Sequence, residues 1–150
     1  MERPNIRFAE KSDLNALVYL CELHAIYEKT VYDPTDKIEK LSKHLFSNSP
    51  SMYCIVVEVT NELIGYATYM KQFSTWDAEI YLYLDCLFLI EKARGYGIGE
   101  QLMNIIKQEA LKMQFSHIQW QTPDFNIKAI KFYRRIGAQS KTKERFILNI

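Results

Sequence analysis

Three glycines within five residues form the segment whose chemistry is easiest to interpret. Gly95, Gly97 and Gly99 follow an apolar stretch and precede an amphipathic pattern. Glycine has no Cβ atom and adopts positive φ, so backbone N–H groups can approach a ligand closely here. A helix that begins near Gly97 adds unpaired amides and its N-terminal dipole, which favour an anion. The segment predicts a phosphate or pyrophosphate site, although an ordinary strand-to-helix turn has the same spacing.

Two familiar phosphate-binding loops do not fit this segment. A Walker loop ends in Gly-Lys-Ser/Thr, whereas Gly99 is followed by Glu100 and Gln101. A Rossmann fingerprint lies near the first strand and has an acidic residue about 20 positions later. The sequence disfavours both loops.

An acidic residue interrupts the apolar strand that leads to the glycines. Within residues 79–90, alternation predicts one face that is apolar throughout: Ile80, Leu82, Leu84, Cys86, Phe88 and Ile90. The opposite face carries Tyr81, Tyr83 and Asp85. Asp85 is either functional or bonded to a neighbouring strand or to Tyr81, and Cys86 is expected to be buried on the other face rather than to carry an acyl group.

Further elements are needed to position these residues. Hydrophobic spacing and turn residues predict a strand at 6–9, helices to about 27 and over 38–46, a hairpin of 52–60 and 63–71 joined by Asn61-Glu62, a helix over 102–113, a strand at 118–122, a helix that stops at Gly137, and a closing strand at 145–150. No repeat or linker divides the sequence, so we expect one domain over residues 1–150.

Composition narrows the classes of function. The 150 residues are 48% hydrophobic, which is enough for one core, and 19 basic against 18 acidic side chains give a formal charge of +1. We therefore expect no nucleic-acid partner and no membrane partner. No leader pattern or apolar run of about 18 residues is present. Three widely spaced cysteines indicate reduced thiols in the cytoplasm and no metal site.

The arrangement Arg94-x-x-Gly97-x-Gly99 after a long strand resembles the coenzyme A pyrophosphate motif of GNAT acetyltransferases. The resemblance covers practically the whole chain, at Ile6-Arg7 with Asp13, Tyr27-Glu28, Gly65-Tyr66-Ala67, Phe73-Ser74-Thr75-Trp76 and Asn126 through Phe132-Tyr133 to Ala138. Within that superfamily the chain is most similar to the diamine and thialysine acetyltransferases. The resemblance implies an α/β (α+β) GNAT fold: a mixed, largely antiparallel central sheet of six to seven strands, about four helices, and splayed central parallel strands.

The same resemblance implies how acetyl-CoA would bind, without a metal. Main-chain amides would hold the pyrophosphate, contributed by Arg94, Gly95, Gly97, Ile98, Gly99 and Glu100. The backbone of Leu87 and Leu89 would pair with the pantetheine arm where two parallel strands splay. Asn126 would touch the coenzyme, although it could equally cap a helix.

Catalytic and acceptor residues are implied in the same way. Asp85 aligns with the general base of the diamine branch, which has Glu at this position, so it would act directly or through a water molecule. Tyr133 matches a tyrosine that assists the departing thiolate, and packing is the alternative. Tyr27, Glu28 and Trp76 would face the acceptor, while a solvated helix end is the other interpretation of Glu28.

The implied reaction is transfer of an acetyl group from acetyl-CoA to a primary amine of a small molecule, by direct attack in a ternary complex. The acceptor would be a diamine, a polyamine or a lysine-like amino acid. The alternatives are a protein lysine or N-terminal acetyltransferase, and a non-catalytic module that binds coenzyme A. Relatives of this kind are usually homodimers, so a homodimer is expected.

Overall fold

The chain folds into one mixed β-sheet with helices on both faces. The computed structural model describes residues 2–150. The elements in chain order are β1 (Asn5–Phe8), α1 (Leu14–Tyr27), α2 (Lys37–Leu45), β2 (Tyr53–Val59), β3 (Glu62–Ser74), β4 (Glu79–Leu89), α3 (Ile98–Lys112), β5 (Ile118–Gln119) and α4 (Ile127–Arg135). Within residues 2–150, no helix is both long and apolar enough to cross a membrane.

The strands follow one another across the sheet in the order β1-β2-β3-β4-β5. The first four are antiparallel, and only the last pair, β4 with β5, is parallel. Thr60 and Asn61 connect β2 to β3 with φ values of 50° and 62°. Positive φ at both loop residues is typical of the tight turns that suit twisted hairpins. The turn therefore lies one residue before the predicted Asn61-Glu62 connection.

Both faces of the central strands are buried, which explains why their sequences are almost continuously apolar. In β2, Ile55 and Val57 pack with α3 on one face of the sheet. The alternate residues Cys54 and Val56 pack with α1 on the other face. A one-residue change of register would exchange the two sets, so the two covering helices fix the register of this strand.

The predicted fold class is confirmed, with a difference in the number of strands. Five strands are present in residues 2–150 rather than six to seven. The predicted closing strand at 145–150 pairs with no other strand, and its Phe146 and Leu148 are 91% and 90% exposed. The fifth strand spans two residues rather than the predicted 118–122.

Candidate active site

The glycine segment forms an open turn lined with backbone amides. Gly95 and Gly97 have φ values of 87° and 77°, and a Cβ atom built on either would meet nothing within 4 Å. Gly97 caps α3, whose first intrahelical bond runs from the amide of Gln101 to the carbonyl of Gly97 at 3.1 Å. The preceding amides, 98–100, therefore lack intrahelical acceptors. This geometry fits a pyrophosphate.

Arg94 fixes this turn to the end of β4 and to α1. Its Nε donates to the carbonyl of Leu89 at 2.9 Å, and its guanidinium carbon lies 4.2 Å from the ring centroid of Tyr27. The backbone amide of Arg94 donates to the carbonyl of Glu91 at 3.1 Å. That amide is already used, which corrects the expectation that it is a free donor. The side chain of Arg94 instead connects the turn to Leu89 and Tyr27.

The parallel strands β4 and β5 separate soon after they pair. Their register covers only Leu82 with Ile118 and Tyr83 with Gln119. The rest of β4, including Leu87 and Leu89, pairs with β3 alone. The predicted splay is therefore present, and it leaves an open edge of β4 that leads to the glycine turn. Binding of a pantetheine arm there stays a prediction.

Asp85 occupies a β-bulge in β4. Thr68 is paired with Cys86 and the next residue of β3, Tyr69, is paired with Leu84, so Asp85 has no partner. The inserted residue is exposed. A bulge of this kind bends its strand and re-aims side chains. Asp85 is therefore presented to solvent from an otherwise buried strand.

The bulge corrects the predicted alternation of β4. Leu82 and Leu84 face the core under α3, as expected, but Cys86 and Phe88 pack on the α1 side. The single apolar face therefore divides at Asp85, because one extra residue exchanges the faces of everything after it.

Cys86 lies next to Asp85 rather than on the opposite face. Its Sγ donates to Oδ2 of Asp85 at 3.6 Å. Burial raises the pKa of the Cys86 thiol to about 12, so it is protonated and not nucleophilic near neutral pH. Tyr81, the suggested structural partner of Asp85, instead donates to Gln72 at 2.7 Å.

The end of α1 brings Tyr27 against residues expected to bind the coenzyme. The hydroxyl of Tyr27 donates to Oδ1 of Asn126 at 2.9 Å, and the Tyr27 ring lies under Arg94. The same Asn126 oxygen accepts from the amide of Ala129 at 3.3 Å and caps α4, as one interpretation predicted. Tyr27 therefore connects α1, α4 and the glycine turn, which its predicted acceptor role did not indicate.

Glu28 follows Tyr27 and belongs to a hydrogen-bonded group that the sequence interpretation missed. Nε2 of His24 lies 3.2 Å from Oε1 of Glu28, and Nδ1 of His24 lies 2.9 Å from the hydroxyl of Tyr66. The imidazole also stacks on Phe88, with ring centroids 4.9 Å apart. The spacing of four residues between His24 and Glu28 on a predicted helix was the signal that could have revealed the pair.

Three charged groups surround His24 from different elements. Burial lowers the pKa of its imidazole, Glu28 and Asp85 raise that pKa, and Arg94 lowers it. Both carboxylates and the guanidinium therefore act on the same ring. The site therefore has two acidic groups near the glycine turn, Glu28 and Asp85, and one cation, Arg94, which is hydrogen-bonded to the carbonyl of Leu89.

Tyr133 is half-buried on α4, where its ring packs against Trp120 and Phe132 at centroid distances of 5.1 and 5.2 Å. Burial, and then the charge of Glu28, raise the pKa of Tyr133 to about 12. The hydroxyl therefore keeps its proton at neutral pH. A free thiol has a pKa of about 8.5, so Tyr133 is suited to donate a hydrogen bond to a departing thiolate rather than to give up its proton completely.

Trp76 is separated from this group. It lies at the tip of the β3–β4 hairpin and is 97% exposed. Asp85 lies six residues into β4, about 20 Å along the strand at the usual rise per residue. The structure brings together Tyr27, Glu28 and Asp85, but not Trp76.

Comparisons with known proteins agree with this architecture. The chain matches the acetyltransferase (GNAT) family over residues 17–138. A thialysine N-epsilon-acetyltransferase from Mus musculus is 27% identical over 151 residues, which cover 95% of this chain and 88% of the mouse protein.

Solved structures show the same fold. An integron cassette protein from V. cholerae superimposes with a TM-score of 0.78 and 29% identity, covering 97% of this chain and 93% of that chain. An aminoglycoside N-acetyltransferase in complex with CoA gives a TM-score of 0.81 at 14% identity, covering 98% and 95%. The chain belongs to the GNAT family, is most similar to its diamine and thialysine branch, and is an acetyl-CoA-dependent N-acetyltransferase.

Proposed function

We propose that the enzyme transfers the acetyl group directly to a primary amine of a small molecule, a diamine, a polyamine or a lysine-like amino acid. The observation that carries this proposal is the pair of carboxylates near the glycine turn: Glu28, which lies 3.2 Å from His24, and Asp85, which is exposed at the bulge of β4. Amines of this class are cationic at neutral pH, so a site with two carboxylates attracts them. Similarity to thialysine acetyltransferases over nearly the whole chain supports the same class of acceptor.

Removal of a proton from the acceptor is the first chemical requirement. An alkylammonium with a pKa near 10 is about 0.1% neutral at pH 7, which costs roughly 4 kcal/mol if no base assists. Asp85 is exposed on its bulge and has no salt-bridge partner among residues 2–150, so its carboxylate is accessible. We assign the general base to Asp85, acting directly or through water.

Departure of the thiolate is the second requirement. Acetyl-CoA, when bound, supplies a thioester that the neutral amine attacks. Tyr133 keeps its proton because its pKa is raised to about 12, and its hydroxyl stabilises the charge that develops on sulfur. The amine attacks the thioester directly, and the protonated Cys86 thiol is a poor nucleophile for a covalent intermediate.

Binding of the coenzyme is assigned to the open turn and the splayed strand. The proposed main-chain donors are Gly95, Gly97, Ile98, Gly99 and Glu100. The backbone of Leu87 and Leu89 lines the gap beside β4, and Asn126 lies next to Tyr27 at the start of α4. Glu28 and Tyr27 lie at the acceptor end.

A panel of amines tests the proposed function directly. Release of coenzyme A would be measured with diamines, lysine-like amino acids, monoamines, lysine-containing peptides and peptides with free N-termini. We expect turnover with small dications. Turnover only with peptides would indicate a protein acetyltransferase, and tight coenzyme binding without turnover would indicate a binding module.

We further propose that the enzyme is a homodimer in which segment 145–150 of each copy pairs beside β5 of the other. Phe146, Ile147, Leu148 and Ile150 are all at least 76% exposed, and β5 has no strand on its outer side among residues 2–150. Reciprocal addition of a strand to a sheet edge is a known mode of recognition, and a specific interface buries about 1,200–2,000 Å² in total.

Light scattering tests the homodimer. The wild type should have twice the chain mass, and the double variant Phe146→Ser with Leu148→Ser should be monomeric. A monomeric wild type at micromolar concentration contradicts the proposal.

A further inference from the structure

We propose that His24 is a positioning residue that holds the Glu28 carboxylate toward the second cationic group of the acceptor, and so sets a preference for dicationic amines. The proposal rests on the function proposed above and assigns a residue that determines specificity within it. It is carried by the hydrogen-bonded series Tyr66–His24–Glu28, which runs from the core to the acceptor site.

The direction of the two hydrogen bonds follows from Glu28, because an ionised carboxylate can only accept. The ring proton of the neutral imidazole therefore lies on Nε2, which donates to Oε1 of Glu28. The side chain of Tyr66 is only 2% exposed, and burial raises the pKa of its hydroxyl far above the ordinary range. Nδ1 of His24 is then an acceptor, and the hydroxyl of Tyr66, which keeps its proton, donates a hydrogen bond to it.

The imidazole is held firmly enough to orient a carboxylate. It stacks on Phe88 with an interplanar angle of 20° and meets the Tyr66 ring edge-on, at a centroid distance of 5.9 Å. The side chain of His24 is 13% exposed, against 34% for Glu28. Glu28 lies at the C-terminus of α1, just before Lys29 adopts a positive φ of 56° and ends the helix. Without His24, this helix-end carboxylate would have solvent on its open side and no fixed orientation.

A neutral donor is what this role requires. Lysine or arginine at position 24 would orient Glu28 but would also cancel its charge. Burial keeps His24 neutral by lowering its pKa, against the opposite effect of Glu28 on the same helix and Asp85 on β4. Arg94 on the glycine turn acts in the same direction as burial. At a pH above the ordinary pKa of an imidazole, the charge of Glu28 is therefore fully available to the acceptor. Protonation of His24 at lower pH places a cation beside Glu28 and cancels that charge.

Paired acceptors separate this role from a purely structural one. The probes are 1,4-diaminobutane and butylamine, which share the reacting amine and differ in the second ammonium. We expect His24→Phe, which keeps an aromatic ring against Phe88, to lower the diamine-to-monoamine ratio of kcat/KM about tenfold, the usual effect of losing a hydrogen bond to a charged group. The change should appear mainly in the KM for the diamine, and the KM for acetyl-CoA should not change.

Two variants test the individual hydrogen bonds. His24→Gln keeps a donor near the position of Nε2 and should recover most of the preference. Tyr66→Phe removes the hydrogen bond to Nδ1 of His24 and should lose part of the preference. His44→Gln, at an exposed histidine of α2, and Tyr69→Phe, at a buried hydroxyl of β3 without a partner among residues 2–150, are the matched controls.

Acidification gives a second, independent test. The diamine-to-monoamine ratio should be constant above about pH 6.5 and fall on acidification below it as His24 is protonated, and His24→Phe should not show this fall. An unchanged ratio in His24→Phe, or equal losses for both amines, overturns the inference while the proposed function stands. If the wild type acetylates no small amine, both fail.

Discussion

Gly97→Ala tests whether the glycine turn binds the coenzyme through its backbone. Gly97 has φ of 77° and caps α3, and its added Cβ atom would meet no protein atom within 4 Å. The variant therefore suffers backbone strain without a steric clash. Left-handed backbone costs an L-residue about 1–2 kcal/mol, which lowers the unfolding midpoint of a chain of this size by roughly 2–8 °C. The protein should stay folded.

The effect on the coenzyme should be larger than the effect on the fold. The added methyl group projects into open space at the turn that carries the free amides of 98–100, where the pyrophosphate is proposed to bind. Loss of one hydrogen bond to a charged phosphate costs about 1.5–3 kcal/mol, which corresponds to roughly a 10- to 150-fold weaker Kd. Titration calorimetry with coenzyme A measures this quantity, and thermal unfolding measures the strain.

Gly137→Ala is the matched control. Gly137 has φ of 94° after α4, and its Cβ atom would also meet nothing within 4 Å. Both variants therefore introduce the same kind of strain, but only Gly97 lies in the glycine turn. Coenzyme affinity should be lost in Gly97→Ala and kept in Gly137→Ala. Equal affinities in the two variants would refute the assignment of the pyrophosphate to this turn.

Four further predictions follow from the site. Asp85→Asn should bind acetyl-CoA normally but lose roughly a hundredfold in rate near neutral pH; the loss should shrink as pH approaches the pKa of the amine, and parallel pH–rate profiles would contradict a general base. Tyr133→Phe should slow turnover on the order of tenfold with little change in coenzyme affinity; unaltered turnover with rate-limiting chemistry would leave Tyr133 a packing residue only. Cys86→Ala should remain active, because a thiol with a pKa of about 12 is protonated; mass-spectrometric trapping of acetylated Cys86, or ping-pong kinetics, would count against direct transfer. Finally, folding lowers the pKa of His24, so its contribution to the free energy of unfolding should be complete above about pH 6.5 and decrease on acidification, as measured by urea denaturation. A His24→Phe variant with the same pH dependence would assign that loss to another group.

Much of the fold could be predicted because the hydrophobic pattern reports which faces are buried. The spacing of apolar residues placed α1 and α2 within a residue or two of their observed ends. Turn residues separated β2 from β3 for the same reason. The segment 145–150 has an equally good strand pattern but no strand partner in its own chain. A pattern shows that a segment is suited to pairing, but it does not identify the partner.

The candidate site was predictable only where a local motif defines it. The glycines and the cap at Asn126 depend on backbone geometry that neighbouring residues specify. The Tyr66–His24 bond joins residues 42 positions apart, so no local pattern contains it. The bulge at Asp85 was missed because a two-residue repeat fits the part of β4 before Asp85 and the part after it equally well. The sequence does not show that one extra residue lies between the two parts.

That extra residue explains how a buried strand contributes to a polar site. Regular pairing through position 85 would keep Phe88 on the same face as Leu84, under α3. The bulge instead turns Phe88 toward α1, where its ring contacts His24 and lies 5.6 Å from the guanidinium of Arg94. It also exposes Asp85, and β4 has already separated from β5 two residues earlier. The proposed base, the packing of the residue that orients Glu28, and the end of β4 that leads to the glycine turn therefore all depend on the same local irregularity.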